Sequence, residues 1–86
     1  MSHVGSFTYK RTAYFYEYVE DPDAQVLKLV YIIRGPRGGS YGLLRTADRP
    51  ELLFAVNLHR SFLARTPFGG DLFRVEDGKL VIAPDS

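Results

Sequence analysis

Residues 48–65 read Asp48-Arg49-Pro50-Glu51-Leu52-Leu53-Phe54-Ala55-Val56-Asn57-Leu58-His59-Arg60-Ser61-Phe62-Leu63-Ala64-Arg65, and how they fold settles the class of the domain. Asp48 is a good N-cap, Glu51 follows three residues later as its capping-box partner, and Pro50 stands in the first turn, where its missing N–H costs little. At roughly 100° per residue, Leu52, Ala55, Val56, Leu58, Phe62 and Leu63 share one arc, opposite Asn57 and Ser61. The spacing predicts an amphipathic helix from Asp48 to about Arg65, stopped by Thr66-Pro67-Phe68-Gly69-Gly70 and laid on a sheet. His59 falls near the middle of the arc, where a histidine hydrogen-bonded at the core edge is expected before an acid-base or pH-sensing role.

Upstream, Phe7 to Val19 and Val26 to Arg34 have strand compositions, separated by the turn Asp21-Pro22-Asp23-Ala24. With that turn as a four-residue hairpin tip, Glu20 pairs with Gln25, Glu17 with Lys28 and Arg11 with Arg34. One face then carries Tyr14, Tyr16, Tyr18, Leu27, Leu29, Tyr31 and Ile33 as the core. The other carries Arg11, Ala13, Phe15, Glu17, Val19, Val26, Lys28, Val30, Ile32 and Arg34. Arg34 to Ser40 reads as a loop and Tyr41 to Thr46 as a third strand. Downstream, Leu72 to Ile82 alternates on both sides of Asp77-Gly78, a hairpin with Glu76 facing Lys79 and with Phe73, Val75, Leu80 and Ile82 on one face.

The predicted order is three strands, one helix and two strands, an α+β domain in which an antiparallel sheet packs against a single amphipathic helix. From about Phe7 to Arg65, this element order resembles the small domains that read DNA with a sheet, the integrase arm-binding and plant-type AP2 modules. The resemblance implies a nucleic-acid surface on the sheet.

The chain of 86 residues, 45% hydrophobic and without cysteine, is expected to form one domain over residues 1–86, with disordered tails at 1–6 and 84–86. It has neither disulfide nor thiolate metal site, so its six Tyr and six Phe must carry much of one core. No apolar run is longer than that of Leu29 to Ile33, which is far short of the roughly 20 residues that span a bilayer. No apolar stretch of signal-peptide length occurs near Met1, and a cytoplasmic protein is expected.

Catalytic chemistry finds little purchase. His3 and His59 have no second ligand at metal spacing, and no activated nucleophile or carboxylate pair stands out, so neither enzyme, metal nor cofactor is expected. Gly35-Pro36-Arg37-Gly38-Gly39-Ser40 is glycine-rich but lacks the Lys-Ser/Thr and the following helix of a phosphate-binding loop.

Charge is more informative. Arg34 to Arg49 holds four arginines and one acid, while Glu17 to Asp23 holds four acids and no base. Eight of the eleven basic residues are arginine, whose planar fork suits phosphates and stacked bases. The candidate anion or nucleic-acid surface is Lys10, Arg11, Arg34, Arg37, Tyr41 and Arg45, with Tyr41 as the stacking ring. The competing expectation is that C-terminal acids neutralise these arginines. Leu53 and Phe54 fall off the helical arc and, with Phe15, Val30 and Ile32, form a candidate partner interface for a homodimer or another protein. The expected function is a small non-enzymatic binding module associated with nucleic acid, or alternatively a protein-interaction module without a nucleic-acid role.

Overall fold

The computed structural model describes residues 3–59 and 65–84. Its elements are β1 (Val4–Tyr9), β2 (Thr12–Tyr18), β3 (Leu27–Arg34), β4 (Ser40–Thr46), β5 (Leu53–Asn57), β6 (Leu72–Glu76) and β7 (Lys79–Ala83). Each strand pairs antiparallel with the next, and the sheet curls into a nearly closed up-and-down barrel, open between β1 and β7.

The fold is therefore all-β, which corrects the predicted α+β order: no helix occurs among the described residues. Asp48 does not cap a helix. Its carboxyl is held below the usual range by the Thr46 side chain first and then by backbone N–H groups, fixing the β4–β5 turn. Leu52 to Val56 is an unbroken apolar run, which fits a strand buried on both sides as well as a helical arc. In the barrel Leu53, 2% exposed, joins the core, while Val56, of opposite parity on β5, is 6% exposed on the outer wall and apart from that core. Phe62 and Leu63, the rest of the predicted arc, lie outside the described residues. The resemblance to DNA-reading three-strand-and-helix domains loses its basis with the helix. His59 sits exposed after β5, its backbone N–H donating to Asn57 Oδ1, and not in a core.

The region read as one long strand from Phe7 is two strands, and Val4 to Ser6, expected in a disordered tail, begin β1. Lys10 and Arg11 form the connecting two-residue turn with φ of 47° and 66°, the left-handed pair of a type I′ hairpin. Asn-Gly is the usual occupant, and so Lys-Arg gave no turn signal.

The β2–β3 register also differs from the predicted one. Arg34 faces Phe15, four residues beyond Arg11, because the connection is longer than the Asp21–Ala24 tip. Val19 N–H donates to Val30 O and Asp21 N–H to Leu29 O, extending the join. A slide by four preserves the faces, so Tyr14, Tyr16, Tyr31 and Ile33 are buried as expected. It replaces an Arg–Arg pairing with a Glu17–Arg34 ion pair, and Lys28 meets Glu20 at 2.7 Å instead of Glu17. A bulge at Val30 shifts the β3–β4 register, so Val30 and Tyr31 are both buried in the core, while Leu27 is exposed. The C-terminal hairpin has the expected register, Glu76 facing Lys79 and Phe73 facing Ile82.

The barrel interior is aromatic. Phe68, 1% exposed, comes from the β5–β6 connection and lies within 5.9 Å, centroid to centroid, of Phe7, Tyr9, Tyr14, Tyr41 and Phe73. Thr66 to Gly70, read as a helix stop, is thus the loop that seats this plug. Thr66 holds the loop by accepting from Phe68 N–H at Oγ1 and from Gly69 N–H at its carbonyl.

Candidate functional site

In an up-and-down order the connections alternate between the two ends of the barrel. The β1–β2, β3–β4 and β5–β6 connections share one end, and the other three share the opposite end. The first end gathers Lys10, Arg11, Arg37 and Arg65. Its one acid among the described residues is Asp71, whose Oδ2 accepts a 2.9 Å hydrogen bond from the Tyr9 hydroxyl. The opposite end carries Glu20, Asp21, Asp23, Asp48, Glu51 and Asp77 against Arg49 in its connections. The near-neutral chain is an electrically polarised barrel.

Two grooves open on the basic end. One, of about 450 Å³, is lined by Tyr9, Lys10, Arg65 and Pro67; the other, of about 500 Å³, by Tyr14, Pro36, Arg37, Tyr41 and Pro67. Pro67 is the wall common to both, so the grooves adjoin. The first combines Lys10 and Arg65 with one tyrosine ring, the second Arg37 with two. Lys10 Nζ lies 5.4 Å from the Tyr9 centroid, a cation–π distance. In the second groove, burial first and then the neighbouring Tyr41 push the Tyr14 phenol up, while the Arg37 charge pulls it down. Arg37 is presented by a compact loop in which Gly35 N–H donates to Gly39 O and Gly38 takes φ 79°.

Of the predicted anion-binding residues, the structure brings Lys10, Arg11, Arg37 and Tyr41 to this end; Arg34, the last residue of β3, adjoins it on the outer wall and lines neither groove, and Arg45 lies at the other end. Arg34 is exposed and ion-paired with Glu17 beside Phe15. Arg45 shares inward parity with Leu43 but lies at the acidic end, facing Lys28, with its Nε buried and without a hydrogen-bond partner. Glu20, held below the usual carboxylate range first by its hydrogen bond with Lys28, also feels the Arg45 charge. The predicted partner interface does not form one patch. Val30 and Leu53 are core residues at 1% and 2% exposure, Ile32 and Phe54 are half-buried, and Phe15 is 63% exposed.

Arg65 and Pro67 are site residues that the sequence reading placed in a helix end and its stop. The signal available was Thr-Pro-Phe-Gly-Gly, an apolar ring between turn formers, the pattern of a loop that inserts a side chain. No cluster of three His, Asp or Glu side chains suited to a metal occurs among the described residues, nor any helix long and apolar enough to cross a membrane. No protein-family model, curated protein or solved structure matches the chain.

Proposed function

We propose that the protein is a non-enzymatic module that binds single-stranded nucleic acid on the basic end of its barrel. The observation that carries this reading is convergence: three connections far apart in sequence set Lys10, Arg37 and Arg65 around two adjoining, tyrosine-lined grooves, with Arg11 beside Lys10 in the same turn. Cations that track a backbone, beside rings on which successive bases stack, are the elements of single-strand recognition. Two grooves sharing the Pro67 wall suit two successive nucleotides, with Arg37 and Tyr41 at one and Lys10 and Tyr9 at the other. The acidic opposite end orients the approach of a polyanion. A cytoplasmic setting belongs to the same reading and agrees with the cysteine-free composition. A protein-docking role rests on another part of the molecule, the open seam between β1 and β7.

Amide chemical-shift mapping with a short single-stranded oligonucleotide tests the proposal. The expected shifts fall on residues 9–12, 35–41 and 65–71 and are absent from residues 19–26. Shifts spread over the wall at Phe15, Glu17 and Ile32, or no shifts at low salt, would refute it.

A further inference from the structure

The number of strands is odd, and this has a geometric consequence for closure. Seven strands, each antiparallel to the next, leave β1 and β7 as edges that run parallel to each other. Direct closure would demand a parallel pair in an otherwise antiparallel sheet. The edges instead flank a groove of about 500 Å³ lined by Phe7, Thr8, Lys10, Asp71, Leu80 and Ile82, among others. Beneath it the Phe7 and Phe73 rings meet edge to face at 5.6 Å, so the interior is sealed while the backbone edges stay open.

The hydrogen-bonding parity of those edges follows from the two hairpins. A two-residue turn closes on a hydrogen-bonded pair, here Tyr9 with Thr12 and Glu76 with Lys79. Alternation from those pairs turns the N–H and C=O groups of Ser6 and Thr8 on β1, and of Leu80 and Ile82 on β7, toward the groove. The bond from Tyr18 N–H to His3 O has the same parity. The outward side chains beside the seam are Val4, Ser6 and Thr8 on β1 and Lys79, Val81 and Ala83 on β7, with Lys10 at the head: two cations, against one acid in the groove, Asp71, whose carboxylate already accepts from the Tyr9 hydroxyl.

We infer that the seam receives one extended, acidic peptide segment from another polypeptide, inserted antiparallel to both β1 and β7 as an eighth strand. Such a segment satisfies two backbone edges at once and completes an eight-stranded, wholly antiparallel barrel, a size whose interior side chains fill. A second copy pairing β1 with β1 would satisfy one edge of each barrel and bring the lysines together. The inserted strand directs small apolar side chains inward over Phe7, Leu80 and Ile82, and carboxylates outward between Lys10 and Lys79.

The test uses the whole protein and the probe acetyl-Glu-Val-Glu-Val-Glu-Val-Thr-amide, with its N-methylated counterpart and the protein variant Thr8→Pro as controls. Proline at Thr8 removes an edge-facing N–H without taking one from the β1–β2 ladder. The expected result is hydrogen-exchange protection rising at least ~10-fold at Thr8, Leu80 and Ile82 on adding the unmodified peptide, and not on adding the N-methylated one. Thr8→Pro should weaken peptide binding while Leu80 and Ile82 exchange as before in the free protein. The inference is overturned by no protection at millimolar peptide, by equal binding of the N-methylated probe, by Thr8 already protected in the free monomer, or by self-association that occupies β1. None of these outcomes bears on nucleic-acid binding at the basic end, which the oligonucleotide map reads separately.

Discussion

The Tyr9 hydroxyl donates to Asp71 Oδ2 at 2.9 Å, joining the last residue of β1 to the residue that leads into β6, across the mouth of the open seam. This hydrogen bond, ahead of burial and of the Asp71 charge, raises the Tyr9 pKa above its ordinary 10.0. A raised folded-state pKa means a contribution fully present below 10.0 and lost as pH climbs through the raised value. Tyr9→Phe is expected to lower the urea midpoint at neutral pH and to shrink its fall above pH 10.0. The check is a set of urea melts across that range; an alkaline arm identical in the two proteins would show that the bond contributes nothing.

On the acid side the sign reverses. Glu20 is held below its ordinary 4.5 first by the hydrogen bond from Lys28, whose Nζ lies 2.7 Å from its carboxylate. A depressed folded pKa gives a contribution present above 4.5 and lost as pH falls through the lowered value. Lys28→Met should remove part of the acid sensitivity below 4.5, read from thermal melts at stepped pH. A steeper acid loss in the variant would contradict the pairing.

Lys10 and Arg11 hold left-handed backbone conformations without being glycine or asparagine, at φ 47° and 66°. Such conformations cost L-residues roughly 1–2 kcal/mol each. Replacing the pair with Asn-Gly is expected to stabilise the fold by about 1 kcal/mol or more and to weaken oligonucleotide binding. Denaturant titration and binding on the same sample separate the two effects. A destabilised variant would refute the turn assignment.

Phe68 reaches into the barrel from a loop and touches rings contributed by four strands. Truncation to alanine should cost about 3–5 kcal/mol, the range for buried aromatic side chains. Gly70→Ala serves as the control in the same loop, since a Cβ there meets nothing within 4 Å. A loss below about 1 kcal/mol for Phe68→Ala would mean that the plug does not seal the end.

What the sequence disclosed depended on how local the determining physics is. Asp77-Gly78 adopts φ of 52° and 78°, values that its residue types announce, so β6–β7 was legible in register. The Lys10-Arg11 turn has the same geometry and no such announcement. Tyr14, Tyr16, Tyr31 and Ile33 were legible as core because a four-residue slide of the hairpin leaves alternation intact. Residues 48–59 were misread because a run such as Leu52 to Val56 is apolar at every position, and only the arrival of neighbours on both sides makes it β5. The separation of arginines from acids was visible along the chain. Arg65 joining Lys10 and Arg37, and Arg45 leaving them, are products of strand order, which no local pattern records.

The account rests on four cations at one barrel end acting together on a polyanion. The direct test is fluorescence anisotropy of a labelled single-stranded oligonucleotide at stepped salt, for the wild type and for Arg37→Ala. Neutralising about four phosphates gives a slope of log K against log salt of about −3, and removing Arg37 should reduce its magnitude by about 0.7. A salt-independent affinity, no binding at low salt, or an Arg37→Ala slope equal to the wild type would contradict it.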